Sequence, residues 1–190
     1  MAISLAKGQK ISLQKTDGTA LQRVFMGLGW DTAQSSGMFS SGGSIDLDAS
    51  CAFFSENKEL LDTVSFRQLR SRDGSVQHSG DNLSGAGDGD DEVINVDLNT
   101  VPTNVKTIVF TINSYRGQTF DKVKNCFARL VDSVNRTEIA MYKLAEQGAH
   151  TGMIMAKLYR HDGQWKMAAL GVPCNGSTIQ NISEEIVRIL

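Results

Sequence analysis

Apolar and polar residues alternate along most of this chain with a period of two, which is typical of strands that bury one face. The alternation is clearest over residues 24–30 and 46–54, and the β-branched, mostly apolar run 106–113 predicts a central strand. Two hairpins are predicted, one turning near Asn135 and one at His161–Gly163. Further strands are predicted within residues 3–13 and at 64–69 and 93–98.

Three segments depart from this pattern. Residues 177–190 carry apolar residues at helical spacing behind Ser177 or Thr178, either of which could cap a helix. A single helical turn is predicted at 120–125, whereas residues 32–44 are rich in Ser and Gly without a period and predict a flexible loop. About ten strands, short helical segments and a C-terminal helix predict an all-β fold, an antiparallel β-sandwich, in a single domain over residues 1–190.

Composition narrows the classes of function. The net charge is -2 and the pI is about 5.9 over 190 residues, so the sequence gives no electrostatic case for nucleic-acid binding. No apolar run approaches the ~20 residues of a membrane helix, and the first residues do not resemble a signal peptide, so we expect a cytoplasmic protein. Cys51, Cys126 and Cys174 are too far apart in sequence to predict a disulfide framework or a zinc site, and we expect reduced thiols.

One stretch concentrates charge of a single sign. Residues 80–92 place five carboxylates and one amide among four glycines, and residues 73–105 contain no Lys or Arg. Like charges at this density repel each other, so we expect neutralisation by something other than the chain's own side chains. Oxygen ligands on a glycine-rich loop suit a hard cation, with Ca²⁺ the first candidate. The spacing excludes an EF-hand, because Leu83 and Gly85 occupy positions three and five of the loop, where that motif needs oxygen ligands.

Further acids lie where strands are predicted to begin or end. Asp31 follows the strand at 24–30, while Asp46 and Asp48 open the next strand on one face, ~7 Å apart. Such a pair could hold a metal, serve acid–base chemistry or simply face water. His78 is the imidazole nearest the acidic stretch, and we expect it to be a neighbour of the site or a surface residue.

The stretch Gly80–Glu92 resembles the signature of the TerD family, the bacterial tellurium-resistance and stress-response proteins. Supporting similarities are Gly27–Asp31, Asp46–Ser50 and Leu158–Arg160, and residues 112–120 are nearest to the TerZ-type branch. The resemblance covers nearly the whole chain. It implies a cytoplasmic β-sandwich that binds two neighbouring Ca²⁺ ions and takes part in resistance to tellurite and other stresses.

The resemblance also implies a set of calcium ligands drawn from strand ends and from the acidic stretch, with two backbone carbonyls completing the coordination. The predicted ligands are Asp31, Asp46, Asp48, Asp81, Asn82, Leu83, Gly87, Asp88, Asp90, Asp91 and Glu92.

The leading hypothesis is a non-enzymatic, calcium-binding stress protein whose ordered loops bind a partner, expected to be another protein of the same resistance system. The alternative of a metal-dependent phosphohydrolase lacks a nucleophile and a basic residue near the loop. A calcium-dependent membrane-surface binder is a third possibility, but the sequence shows no basic patch or aromatic wedge for it. Cysteine chemistry on tellurite is the weakest hypothesis.

Overall fold

Two six-stranded sheets pack face to face in the computed structural model, which describes residues 2–15, 17–32, 46–80, 89–145 and 148–190. The sequence interpretation of a flexible loop at 32–44 falls almost wholly outside these residues, although Thr32 itself still belongs to a strand. The elements in chain order are β1 (Ile3–Leu5), β2 (Lys10–Ser12), β3 (Arg23–Thr32), β4 (Leu47–Phe54), β5 (Leu60–Val64), β6 (Val76–His78), β7 (Glu92–Asp97), β8 (Thr107–Ser114), a 3-10 turn (Phe120–Lys122), β9 (Val123–Asp132), β10 (Thr137–Lys143), β11 (Gly152–His161), β12 (Gln164–Cys174) and α1 (Ser183–Ile189).

The strand order confirms the predicted sandwich. Sheet A has the order β1-β10-β9-β3-β7-β6 and sheet B the order β2-β12-β11-β8-β4-β5. Both predicted hairpins are present as β9–β10 and β11–β12. The described pairs are antiparallel with one exception, since β1 runs parallel to β10 at the edge of sheet A.

Alternation decides which side chains fill the core between the sheets. On β3 the residues Val24, Met26, Leu28 and Trp30 are buried in the central cluster, so Gly27, Gly29 and Asp31 point away from it. On β4 the odd-numbered residues from 47 to 53 join the same cluster. The even-numbered residues of β4 therefore lie on the outer face of sheet B.

The C-terminal segment covers that outer face. Ile179, Ile182 and Ile186 are buried there against Phe54 and Val109. The helix is shorter than predicted, because it begins at Ser183 rather than behind Ser177 or Thr178, and no side chain caps it. Seven residues are too few for an independently stable helix, so packing on sheet B stabilises α1.

The strand predicted at 64–69 is wrong. Strand β5 ends at Val64, and Ser65 and Gln68 close a turn by pairing their backbones. The buried carboxylate of Asp62 accepts hydrogen bonds from Arg72 N (2.8 Å) and Gln68 Nε2 (3.0 Å), and these bonds fold the following segment back instead of extending it.

Several strand termini meet at one end of the sandwich, here called the acidic end. The end of β3 lies beside the start of β9, and the start of β4 lies beside the end of β8. The start of β7 touches β4 across the two sheets. No helix among the described residues is long and apolar enough to cross a membrane.

Candidate metal centre

Six of the eleven predicted ligands lie in the described part of the chain, and all six are at the acidic end. They are Asp31, Asp46, Asp48, Asp90, Asp91 and Glu92. The other five lie outside the described residues, and these are Asp81, Asn82, Leu83, Gly87 and Asp88. Antiparallel pairing explains the convergence, since it brings the end of one strand to the start of its neighbour.

Asp91 extends the pairing of β3 with β7 by one residue. Its backbone N–H donates to Leu28 O (2.9 Å), and its Oδ2 accepts from Trp30 N (2.7 Å). Burial raises the pKa of the Asp91 carboxyl, and the nearby like charges of Asp31, Glu92 and Asp90 raise it further. The protein therefore holds these carboxylates together at an electrostatic cost, which a bound cation would relieve.

Asp46 provides a second indication of a cation. Its carboxylate is buried, and Oδ2 accepts from Arg116 Nε at 3.2 Å. The other oxygen, Oδ1, is buried and has no hydrogen-bond partner within the structure described here. A buried carboxylate oxygen needs a donor or a cation, so the residues at this position fit a hard metal ion.

Asp48 and Asp31 approach the acidic end from different sheets. Asp48 is buried and pairs in register with Asn113 of β8, on the outer face of sheet B. Asp31 is exposed at the end of β3, and its Oδ2 accepts from Asn125 Nδ2 at 2.6 Å.

Asp90 is held by an arginine. Arg129 of β9 makes a bidentate contact with it, with Nε to Oδ1 at 2.7 Å and Nη2 to Oδ2 at 2.9 Å. The carboxylate lies directly on the backbone of Gly27, where a Cβ would overlap it. Both oxygens of Asp90 are thus engaged, and as a calcium ligand it would have to share them with Arg129.

Glu92 is fully buried between the sheets. Its Oε2 accepts from Ala49 N at 2.7 Å and lies 3.1 Å from His78 Nε2, which is also 3.1 Å from Ala49 O. Because Gly80 N donates to His78 Nδ1 (3.0 Å), Nε2 must carry the proton of the imidazole. His78 is a neighbour of the site, as one of the two expectations had it, but it is buried rather than on the surface.

The part of the chain that the structure describes contains no group of three or more His, Cys, Asp or Glu side chains placed to hold one ion. The ligand set that the sequence suggested therefore stays a prediction.

Sequence reasoning missed the cations at this end. The expectation that no side chain of the chain neutralises these acids is wrong, because Arg129 pairs with Asp90 and Arg116 pairs with Asp46. Both arginines lie more than thirty residues away in sequence from their aspartates. Sequence reasoning also missed an exposed stack beside Asp46, in which Tyr115 packs edge-on against Phe66 and Arg67 lies over both rings. The sequence carried no local signal for the contacts of Arg129, Arg116 and Tyr115, because each joins residues that are distant in the chain.

Comparison with known proteins identifies the family. A sequence model described as the TerD domain matches residues 1–185. The chain belongs to the TerD domain family. The family resemblance drawn from residues 80–92 is therefore confirmed.

Other TerD-family proteins are similar to this chain over almost their whole length. The tellurium resistance protein TerZ of Serratia marcescens is 48% identical over 189 residues, covering 97% of each chain. The stress response protein SCP2 of Bacillus subtilis is 41% identical over 200 residues, covering 98% of this chain and 100% of its own. A solved homologue of the telluride resistance protein TerD from Streptomyces coelicolor has a TM-score of 0.71 at 19% identity, covering 88% of this chain and 98% of that one, which supports the fold.

Proposed function

We propose that this TerD-domain chain is a calcium-binding, non-enzymatic stress-response protein of the cytoplasm that contributes to tellurite resistance. Two Ca²⁺ ions bind at the acidic end and order a surface for a partner protein of the same resistance system. Membership of a family whose named members are tellurium-resistance and stress-response proteins supports the general role.

The observation that carries the calcium proposal is Asp46 Oδ1, which has no hydrogen-bond partner among the described residues. A carboxylate oxygen buried without a donor is costly, and Ca²⁺ prefers such oxygens as ligands. The raised pKa of Asp91 also supports a cation here. Burial and neighbouring carboxylates disfavour the charged form of Asp91, and a bound cation would stabilise that form.

We divide the described members of the predicted ligand set into two groups. Asp31, Asp46, Asp48 and Asp91 are the described carboxylates that we assign to the ions, together with oxygen atoms from residues 81–88. Asp90 and Glu92 retain a place in the set, but Arg129 and the Ala49 backbone already bind their oxygens. Ions bound only by the native state stabilise it by RT ln(1 + [L]/Kd), so calcium and folding are linked.

Isothermal calorimetry on chelator-stripped protein tests the proposal, with Mg²⁺ titrated in parallel. We expect about two Ca²⁺ per chain and a much weaker Mg²⁺ response, since Mg²⁺ sheds its water reluctantly. Asp46→Asn should weaken Ca²⁺ binding, whereas Asp162→Asn, the same change at an exposed turn at the opposite end, should not. Absence of Ca²⁺ binding, or a preference for Mg²⁺, would contradict the proposal.

The stack of Phe66, Arg67 and Tyr115 is the surface that we assign to the partner. Tyr115 is 45% exposed, and its backbone N–H donates to Asp46 O (3.3 Å), so an ion at Asp46 would fix its position. Tyr and Arg are enriched where proteins bind each other. Tyr115→Ala should weaken calcium-dependent binding to a partner of the resistance system, while calcium-dependent pelleting with anionic vesicles would favour a membrane surface instead.

A further inference from the structure

A groove of about 680 Å³ opens on sheet A between the end of β3, the first half of β9 and the end of β10. Its volume lies within the range of about 300–1,000 Å³ that is usual for small-molecule sites. The calcium proposal uses Asp31 at its edge but none of the other residues that form it. We call it the bulge groove, for the irregularity that produces it.

The irregularity is a β-bulge. Gly29 pairs with Phe127 and Asp31 pairs with Lys124, so one residue of β3, Trp30, faces two residues of β9. The extra residue, Asn125, takes a left-handed conformation with φ of 49°. A bulge bends its strand and redirects side chains, and such bulges are frequent beside binding sites.

The floor of the groove is apolar. The Phe127 ring lies over Gly29, where a Cβ would overlap it and would also come 2.7 Å from Gly89 O. Met141 and Leu144 of the neighbouring segment continue the apolar wall, and both are only partly buried. The groove therefore offers an accessible apolar surface for the body of a ligand.

The described charged side chains of the groove are two lysines and one carboxylate. Trp30 contributes to the wall, and its Nε1 is buried without a partner among the described residues. An indole N–H can only donate, so it requires an acceptor. Lys124 and Lys143 are exposed lining residues, and neither forms an ion pair in the described chain. Among the described residues the lining carboxylate is Asp31, which already accepts from Asn125.

We propose that the bulge groove binds a small organic anion with an apolar body, whose acid group contacts Lys124 and Lys143 and whose body lies on Phe127 and Met141. The match is one of charge and shape: an apolar floor lies beside two lysines that form no ion pair with the described residues. The groove shares Asp31 at its edge with the proposed calcium ligands, but the proposed contacts to the anion use other residues and do not require a bound ion.

Three probes with one apolar body and different head groups test the proposal. Octanoate, octanol and octylamine are titrated by calorimetry into the full chain, in chelator and again with CaCl₂. Octanoate should bind saturably in at least one buffer and at least about tenfold more tightly than octylamine, because the lysines attract one head group and repel the other. Quenching of Trp30 fluorescence in a Trp165→Phe background should give the same affinity, since the chain has two tryptophans.

Charge removal locates the site. Lys124→Gln with Lys143→Gln should weaken octanoate binding by about tenfold and leave octanol unchanged, whereas Lys10→Gln on β2 of the other sheet should change neither. No saturable octanoate binding in either buffer would overturn the proposal. Equal affinity for the three probes, or an unchanged affinity in the double variant, would overturn it too. If the titration showed no calcium binding, the octanoate result would still hold. The two proposals are therefore tested independently.

Discussion

The Nε2 atom of His78 lies 3.1 Å from Oε2 of Glu92 in the interior between the two sheets, and both side chains are fully buried. His78 Nε2–H donates to Ala49 O, and Glu92 Oε2 accepts from Ala49 N. Strand β5 pairs with β4 from Cys51 to Phe54 and does not reach Ala49. The two side chains thus make the hydrogen bonds to Ala49 that the backbone of a neighbouring strand would otherwise make. His78 ends β6 and Glu92 begins β7, so their contact also joins the two ends of the acidic stretch.

His78→Ala should destabilise the protein by about 2–4 kcal/mol, because it removes buried hydrogen bonds and leaves a cavity. The measurement is urea unfolding followed by circular dichroism. The matched control is His161→Ala, since His161 is exposed at a turn and should change stability by under about 0.5 kcal/mol. Equal losses in the two variants would show that the buried pair adds nothing.

Gly27→Ala should destabilise the protein by about 1–3 kcal/mol, because the new methyl group would occupy the position of the Asp90 carboxylate. The same change in an Asp90→Ala background should cost much less. A double-mutant cycle from urea unfolding measures this coupling. If the two losses of stability were strictly additive, the Asp90 carboxylate would not lie against Gly27.

Arg116→Gln should strengthen Ca²⁺ binding by about twofold to fivefold, since it removes a positive charge that competes with the ion for Asp46. The effect should shrink at high salt, because the Arg116 side chain is 60% exposed and screened. Calorimetry compares it with Arg72→Gln, whose guanidinium pairs with Asp62 away from the proposed ligands. Unchanged affinity would argue against Asp46 as a ligand.

The thiols should be unreactive in the native protein. Burial raises the pKa of Cys126 and of Cys174 to about 12 and raises the pKa of Cys51 strongly, while the thiolate is the reactive form. Since unfolded thiols ionise near a pKa of ~8.5, their contribution to stability is present below that pH and is lost as the pH rises toward 12.

Labelling with Ellman's reagent at about pH 8 checks this, because thiolates react with it. The three cysteines should react at once in denaturing urea and slowly without it. Fast reaction of one thiol in the native state would revive cysteine chemistry on tellurite for that residue.

Local sequence pattern was sufficient for the general fold. The alternation in β3 and β4 predicted which residues enter the core, and turn residues placed both hairpins, because these signals act between near neighbours in sequence. It failed at 64–69, where hydrogen bonds to the buried Asp62 outweigh strand propensity. It also began the terminal helix six residues early, because the apolar spacing includes Ile179 and Ile182, which pack on sheet B ahead of the helix.

The sequence by itself determined the strand-rich fold, the family and the concentration of acids between residues 80 and 92. Only the tertiary structure decided that Asp90 meets Arg129, that Glu92 turns inward to Ala49, and that Asp46 keeps a buried oxygen with no partner in the described part of the chain. These contacts join residues that are distant in the chain and depend on strand register, and a shift of one residue would turn each side chain to the other face.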